Sequence, residues 1–181
     1  MDDLVERASR GDRDAFAALA ATSVDRLFAI ARRILQDHDR AQDAVQSALL
    51  GAWRDLPSLR DPARFQQWLR RLLVRACYEE ATKQRAFRMN VRVVSIEPSV
   101  ADSSGALADR DQLERAFRRL TVEQRSVIVL HLYLGLAMTE VSQTLAIPEG
   151  TARSRLHYAL RILRGSLDAE ARQAVVGELL A

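Results

Sequence analysis

Apolar side chains recur at intervals of three and four residues along most of this chain, which is the spacing of amphipathic α-helices. Helix breakers are scarce, with 7 glycines and 4 prolines in 181 residues, and runs of β-branched residues are short. We therefore predict an all-α fold. In the first half of the chain, long helices are predicted to begin at Asp12 and Asp14, at Asp39 as an N-cap, and at Pro62.

Each of these three helices carries one apolar stripe that needs a partner, so together they predict a small helical bundle. The residues predicted to face its core are Phe16, Leu19, Leu27, Ile30, Ala31, Ile34, Ala41, Ala44, Val45, Ala48, Leu49, Ala52, Trp53, Phe65, Trp68, Leu69, Leu72, Leu73 and Ala76.

The stretch from Met89 to Ala108 interrupts this periodicity. It contains Pro98 and a Ser-Ser-Gly cluster, and it has no amphipathic stripe. We predict a flexible linker over residues 89–108, between an N-terminal helical domain of residues 1–88 and a C-terminal one of residues 109–181. A linker of about 20 residues spans at most roughly 70 Å at 3.3–3.6 Å per residue, so the two small domains can reach separate sites.

The C-terminal region contains two helical patterns joined by a very short turn, as in a helix-turn-helix. Thr139 is predicted to open the first helix, and residues 146–148 to form the turn. Pro148 has no N–H to lose at that point. The second helix is predicted from about Glu149 to Leu163, and the segment after Leu167 either adds a short helix or frays.

The outward face of this second helix combines guanidinium groups with hydroxyl groups. Guanidinium forks match guanine edges and phosphate oxygens, and hydroxyl donors reach the edge of a DNA groove. The alternative is a solvated arginine face on an ordinary helix pair. The residues predicted to face inward are Ala152, Leu156, Ala159, Leu160 and Leu163, and the outward ones are Thr151, Arg153, Ser154, Arg155, His157, Tyr158 and Arg161.

Two outward faces of the N-terminal domain are also candidate contact surfaces. The helix after Asp39 exposes a mixed polar face with Leu50 in its middle, which fits either a solvated face with one stray apolar residue or a protein-docking surface. The helix after Pro62 aligns Arg64, Arg71 and Arg75 near Tyr78. Phosphate contact and stacking on an unpaired base are possible there, and so are solvated arginines beside a locally packed tyrosine.

Charge is distributed unevenly along the chain, although the formal net charge is only +3. Residues 1–61 contain nine basic and eleven acidic side chains, residues 62–88 seven and two, and residues 149–164 four and one. Two basic segments therefore flank the linker, as two separate DNA contacts require.

The composition narrows the class of protein. No apolar stretch approaches the roughly 20 residues of a membrane helix, and the charged N-terminus does not resemble an export signal. A lone Cys77 and three scattered histidines predict neither a disulfide nor a metal site, so a cytoplasmic protein without a cofactor is expected. No nucleophile, base and orienter can be identified, since Glu79 and Glu80 are adjacent, so an enzyme is not expected.

Several motifs resemble the extracytoplasmic-function (ECF) group of bacterial sigma factors in the sigma-70 family. In the N-terminal domain these are Leu4-Val5, Gly11-Asp12, the segment DRAQDAVQSALLGAW from Asp39 and RFQQWLRRLLVRA from Arg64. In the C-terminal domain they are Leu145 to Thr151 and Ser154 to His157. The resemblance covers most of the chain and is most specific in the helix-turn-helix.

The resemblance implies a specificity subunit that directs core RNA polymerase to promoter DNA and is itself controlled by an anti-sigma factor. The residues that it places in polymerase binding are Asp43, Gln46, Leu50 and Arg54. Those placed at the minus-ten element are Arg64, Phe65, Arg71, Arg75 and Tyr78. Those placed at the minus-thirty-five element are Thr151, Arg153, Ser154, Arg155, His157, Tyr158 and Arg161.

The chain departs from the common family pattern at a few of these places. Gln42 and Ser47 stand where acidic residues are frequent in the docking helix, and Gly51 weakens that helix by up to about 1 kcal/mol relative to alanine. Near the minus-ten face, Ala76 replaces a frequent asparagine and Glu80 a frequent aspartate.

Two other classes of protein remain open on the sequence alone. A free-standing helix-turn-helix regulator would bind an operator as a dimer without polymerase. A sigma mimic would sequester an anti-sigma factor; it would keep the docking faces and lose the basic ones, whereas basic residues such as Arg71, Arg75, Arg153 and Arg161 are present here.

Overall fold

Helices form all the regular structure in the described part of the chain, as the apolar spacing predicts. The computed structural model describes the backbone of residues 1–90 and 105–180, and the side chains of residues 1–86 and 112–168. The helices are α1 Asp2–Ser9, α2 Arg13–Leu35, α3 His38–Asp55, α4 Phe65–Asn90, α5 Gly105–Arg118, α6 Val122–Ile128, α7 Met138–Leu145 and α8 Glu149–Leu180, with 3-10 turns at Leu56–Ser58 and Pro62–Arg64 and a π-turn at Val129–Tyr133.

Helices α1 to α4 form an N-terminal bundle in which α2, α3 and α4 pack on one another and α1 packs on α2. Helix α2 begins at Asp12 as predicted, and Asp12 is its N-cap: the Oδ1 atom accepts hydrogen bonds from the backbone N–H groups of Asp14 and Ala15, both at 3.0 Å. Its Oδ2 accepts two hydrogen bonds from the Arg7 guanidinium, at 2.8 and 3.0 Å. One carboxylate thus begins α2 and fixes α1 beside it.

Two predicted helix starts are displaced in the structure. The N-cap of α3 is Asp37 and not Asp39: Gln36 ends α2 in the left-handed conformation, which leaves Asp37 extended, and its Oδ1 accepts from the Arg40 N–H at 3.1 Å. Asp39 lies in the first turn, where the helix dipole favours it. Pro62 begins a 3-10 turn capped by Asp61, and α4 follows from Phe65.

The predicted stripes supply the core of this bundle, with one clear exception. Leu19, Ile34, Leu69 and Leu73 are fully buried. Trp53 was predicted to be core, but 36% of its surface is exposed. It lies near the end of α3 against Phe16 of α2, with ring centroids 5.0 Å apart in an edge-on arrangement. These aromatic rings border a groove instead of filling the interior.

Helices α5 to α8 form a C-terminal bundle with the predicted helix-turn-helix. The Ala137 N–H donates to the Glu140 carboxylate at 2.9 Å, and α7 begins at Met138, one residue before the predicted Thr139. Ala146 makes the turn in the left-handed conformation, with φ 53° and ψ 44°. Helix α8 begins at Glu149 as predicted and continues far beyond the predicted end near Leu163.

The helices also extend into both ends of the predicted linker. Helix α4 continues through Asn90, and α5 begins at Gly105, where the sequence pattern predicted linker. The rest of the predicted linker, residues 91–104, lies outside the described residues.

The two bundles pack against each other. Helix α4 contacts α6 and α7, and α2 contacts α6 and the π-turn. The buried side chains of both bundles, such as Leu73 and Val141, belong to one continuous apolar cluster. A smaller separate cluster holds α5, α6 and α8 together; it consists of Ala116, Leu120, Ile128, Ala159 and Leu163. Two cores near the lower size limit thus share an interface.

Replacing Asp12 with alanine tests the first capping interaction. The hydrogen bond from the Ala15 N–H, followed by that from Arg7, holds the pKa of the Asp12 carboxyl below its ordinary value. A depressed folded-state pKa stabilises the fold above the unfolded pKa, and this contribution is lost as pH falls through the folded value. We expect Asp12→Ala to lower the urea midpoint at pH 7, with the difference shrinking as pH falls below the ordinary pKa of an aspartate, about 3.9.

The matched control is Asp3→Ala, because the Asp3 carboxylate is mostly exposed and lies 4.0 Å from the Arg7 guanidinium. Its urea midpoint should equal that of the unsubstituted protein at pH 7. A deficit of Asp12→Ala that stays constant from pH 7 to about pH 3 would contradict the role of the ionised cap.

Replacing Ala146 with glycine tests the strain in the helix-turn-helix. A left-handed conformation costs a non-glycine residue about 1–2 kcal/mol, and glycine loses about 0.4–1 kcal/mol more backbone entropy on folding. Ala146 is exposed, so its methyl group packs little. We expect the free energy of unfolding to rise by about 0.5–1 kcal/mol in urea titrations. The same change at exposed, helical Ala86 should lower it by about 1 kcal/mol; a loss at Ala146 would refute the strain.

Candidate functional site

An open apolar groove of about 700 Å³ runs between α2 and α3. Leu50 projects into it with 63% of its surface exposed, although it is one of the large aliphatic residues of the chain. An apolar groove that keeps a leucine in water is typical of a protein-docking surface. The groove is lined by Phe16, Ala20, Val24, Asp25, Phe28, His38, Gln42, Val45, Gln46, Leu49, Leu50 and Trp53.

Of the four predicted docking residues, two line this groove and two lie outside it. Gln46 and Leu50 line it, whereas Asp43 and Arg54 are exposed on α3 without lining it. Arg54 makes two hydrogen bonds to the neighbouring Asp55 carboxylate, at 2.8 and 3.0 Å. This pair raises the pKa of Arg54 and lowers that of Asp55. The candidate docking surface therefore includes the outward face of α3, and helix α2 forms the opposite wall of the groove.

Sequence reasoning missed that second wall, which α2 supplies. Phe16 was predicted to be core, and Val24 and Phe28 were not singled out, yet all three line the groove. Val24 is 36% exposed. The available signal was the width of the apolar surface of α2, which is greater than one packed neighbour can cover.

The basic face of α4 presents three of its five predicted residues to solvent. Arg64, Arg71 and Arg75 are exposed. Arg64 pairs with Asp61 at 3.1 Å and Arg75 with Glu79 at 3.1 Å, and such exposed ion pairs exchange readily for phosphate.

Phe65 and Tyr78, the two aromatic residues predicted for this face, are less exposed than its arginines. Phe65 is only 2% exposed and packs in the core next to Trp68, with ring centroids 6.1 Å apart. Tyr78 is half-buried and packs against the apolar cluster that both bundles share, and burial raises the pKa of its phenol. Three groups of the C-terminal bundle also influence the pKa of Tyr78, namely Ser126, Arg155 and Glu123.

Three residues on the inner side of α4 are buried: Ala76, Cys77 and Glu80. Glu80 is nearly buried and accepts a hydrogen bond from Lys83 Nζ at 2.6 Å. Ala76 is buried as well. Burial also raises the pKa of the neighbouring Cys77 thiol to about 12. The departures from the family pattern at positions 76 and 80 therefore lie inside the bundle, where their side chains do not reach solvent. Among the described side chains, no group of His, Cys, Asp and Glu residues could hold a metal ion.

Helix α8 presents the predicted recognition face to solvent. Arg153, Ser154, His157, Tyr158 and Arg161 are exposed, while Thr151 and Arg155 are half-buried. The inward stripe also lies as predicted: Ala152, Ala159 and Leu163 are buried, and Leu156 and Leu160 are half-buried.

Contacts along α8 organise this face. The guanidinium carbon of Arg161 lies 5.1 Å from the centroid of the Tyr158 ring, and the ring of His157 meets that of Tyr158 edge-on at 5.8 Å. Arg153 Nε donates to the Glu149 carboxylate at 3.0 Å. The result is a row of cationic and aromatic groups on the second helix of a helix-turn-helix, which is the element that enters the major groove in such motifs.

A second apolar groove, of about 790 Å³, opens where the two bundles meet. Leu132 and Tyr133 line it and are 56% and 49% exposed. Sequence reasoning missed this surface because the π-turn adds a residue to the helical repeat. The added residue rotates the following side chains away from the face that a period of 3.6 predicts. Among the helices that the structure describes, none has both the length and the apolar character needed to cross a membrane.

Comparison with known proteins identifies two regions in the chain. The model of Sigma-70 region 2 matches residues 19–87, and that of Sigma-70, region 4 matches residues 110–163. The ECF RNA polymerase sigma factor SigK of Mycobacterium ulcerans (strain Agy99) is 34% identical over 174 residues, which is 92% of each chain. The first match covers α3, α4 and most of α2, and the second covers α6, α7 and the recognition face of α8.

Two solved structures have the same arrangement of helices. The structure of CnrH in complex with the cytosolic domain of CnrY superposes with a TM-score of 0.65 at 25% identity, over 93% of this chain and 97% of that one. The sigma factor RpoE in complex with the anti-sigma factor NepR, from Bartonella quintana, superposes with a TM-score of 0.69 at 24% identity, over 84% and 96%. The second likeness is one of fold.

Proposed function

This chain belongs to the ECF group of the sigma-70 family of RNA polymerase sigma factors, and from that premise we propose how its surfaces divide the work of initiation. Residues 1–88 act as a region 2 domain that docks on core polymerase and holds the minus-ten element. Residues 109–181 act as a region 4 domain that reads the minus-thirty-five element. The observation that carries the proposal is that each matched region contains one exposed basic helix face, on α4 and on α8.

The α2–α3 groove is the proposed docking site for core polymerase. Its exposed leucine, Leu50, loses water contact when a partner helix fills the groove, and burial of one leucine side chain contributes about 1.5–3 kcal/mol. Gln46 lies beside it, and Asp43 and Arg54 form a polar rim. An apolar centre with a polar rim is the usual organisation of a protein interface.

The exposed face of α4 is the proposed minus-ten surface. Arg64, Arg71 and Arg75 supply phosphate attraction, which depends on salt. Tyr78 supplies a ring on which an unpaired base can stack. Phe65, because of its burial, serves to hold the start of α4 in place and does not itself touch DNA.

The outward face of α8 is the proposed minus-thirty-five surface. Arg153, Arg155 and Arg161 offer the guanidinium forks that pair with guanine edges and phosphates, and Thr151, Ser154, His157 and Tyr158 complete the face. Arg153 is held by Glu149 in the free protein and must exchange that carboxylate for DNA.

The partners of this factor are core RNA polymerase, promoter DNA and an inhibitory protein. CnrH, a structural neighbour, is found in complex with the cytosolic domain of CnrY. By analogy, we propose that an anti-sigma factor occupies the α2–α3 groove when the factor is inactive. A cytoplasmic location and the absence of bond-making chemistry follow from the role of an initiation factor.

In-vitro transcription tests this function. Purified bacterial core polymerase and this protein are combined on a pooled genomic template, and the 5′ ends of the transcripts are mapped. Discrete starts that share a pair of upstream sequences support the proposal. Core binding without transcripts would instead identify a sigma mimic. Absence of both core binding and transcripts would favour a free-standing regulator.

Replacing Leu50 with glutamate tests the docking groove. The substitution places a charge in an apolar groove, which opposes burial against a partner, while an exposed residue contributes little to folding. We expect core affinity to fall at least about tenfold with an unfolding free energy within about 0.5 kcal/mol of the parent. Ala21→Glu adds the same charge at an exposed position of α2 outside the groove, so it should bind normally. Equal affinity of both variants would remove Leu50 from the interface.

Replacing Arg161 with alanine tests the recognition helix. Loss of one guanidinium contact should weaken minus-thirty-five binding by about 1–3 kcal/mol and leave core affinity unchanged. Binding is measured with holoenzyme on the mapped promoter at several salt concentrations. The control is Arg164→Ala. Arg164 is exposed and lies about one turn beyond Arg161 on α8, outside the predicted recognition face, so its removal should have a smaller effect. Loss of core affinity in Arg161→Ala together with loss of DNA binding would contradict separate roles for the docking groove and the recognition helix.

A further inference from the structure

One acidic residue lies beside the basic outward face of α8. Glu149 is the first residue of the helix, and Arg153 follows one turn later on the same side. Nε and Nη2 of Arg153 both donate to a single oxygen of the Glu149 carboxylate, Oε1, with the Nε contact at 3.0 Å. Arg161 of the same face lies instead over the ring of Tyr158. Arg153 thus carries its own carboxylate partner in the free protein.

The surface next to this ion pair is open. Gly150 is exposed, and a Cβ atom added to it would meet no other group within 4 Å. Gly150 lies in the first turn of α8, where glycine is a poor helix former. The packing of the described residues therefore does not require a glycine at this position, whereas close approach of another molecule to the backbone does.

We infer that Glu149 is a specificity-determining residue of the minus-thirty-five surface, which makes Arg153 bind the edge of a base pair in preference to a phosphate. This inference rests on the proposed function, because that function brings the outward face of α8 to DNA. Glu149 itself is outside the set of residues that the sequence places on this face.

The selectivity follows from what happens when Arg153 leaves Glu149. Two charged groups then need new partners at the same time. A guanine offers the acceptors N7 and O6 to the guanidinium, and the cytosine paired with it offers its N4 amino group to the carboxylate. A phosphate offers acceptors alone, and its negative charge repels the freed carboxylate. Since a polar group left without a partner opposes binding, Glu149 favours the base contact.

The other role open to Glu149 is structural. A carboxylate in the first turn of a helix is favoured by the helix dipole, and an exposed ion pair one turn apart adds a little stability. Both roles predict a small loss of stability when the charge is removed. They differ at DNA, because a purely structural Glu149 does not change which groups Arg153 binds.

A charge-matched control for Glu149 lies in the other bundle. Glu6 of α1 pairs with Arg10 at 3.6 Å with the same spacing of four residues, and both side chains are exposed. Glu6→Gln therefore removes one negative charge and one ion pair at a place to which the proposed function assigns no DNA contact.

Two binding measurements on the full-length chain test the inference. The free protein is titrated with duplex DNA of unrelated sequence at several salt concentrations. Glu149→Gln should bind this DNA about threefold to tenfold more tightly, and the slope of log affinity against log salt should steepen by about 0.9 for one added phosphate contact. Glu149→Asp keeps the charge and should stay close to the parent, as should Glu6→Gln.

The second measurement uses holoenzyme on the mapped promoter and on every single base-pair change within the minus-thirty-five element. Glu149→Gln should lose about tenfold discrimination at one base pair and keep it at the others. In an Arg153→Ala background, the same substitution should change neither measurement by more than about twofold, because Glu149 acts through Arg153.

An unchanged preference at every position in Glu149→Gln would overturn the inference. An equal effect of Glu149→Gln with and without Arg153 would also overturn it, since Glu149 would then act only as a charge near DNA. A parent holoenzyme that tolerates every change in the minus-thirty-five element would overturn the proposed function itself.

Discussion

The packing of α4 between two apolar surfaces is the constraint on which the rest of the structure depends. One face of the helix completes the N-terminal bundle through fully buried Leu69 and Leu73, and another receives α6 and α7. The exposed arginines of α4 lie on its remaining face, which is open to solvent. Because two bundles near the lower size limit for an independent core share this helix, neither buries its apolar surface completely without it. Stability, orientation of the bundles and access to the basic face are therefore set by the same side chains.

Much of this architecture could be predicted from the sequence, because helical period and capping chemistry are local. The all-α fold, the start of α2 at Asp12, the turn before Glu149 and the outward arginines of α8 follow from spacing and residue type. The family resemblance, which is strongest in the helix-turn-helix, supplied what spacing does not carry, namely the identity of the partners.

The remaining features depend on tertiary structure, which a periodic pattern does not encode. Asp37 and Asp39 are both chemically suitable caps, and only the left-handed residue that ends α2 decides between them. Trp53 and Phe16 follow the stripe of a core, but no third element in the described part of the chain covers them. The π-turn shifts the phase of Leu132 and Tyr133. The contact between the bundles, against which Tyr78 packs, joins residues far apart in the chain.

The division of labour between α4 and α8 is the central claim, since their basic faces lie in different matched regions and, as we propose, hold different promoter elements. Footprinting of holoenzyme on the mapped promoter, with the Arg71→Ala and Arg161→Ala variants beside the parent, measures this division directly. We predict that Arg71→Ala weakens protection of the minus-ten element alone and that Arg161→Ala weakens protection of the minus-thirty-five element alone. Equal loss of protection at both elements in either variant would contradict the claim.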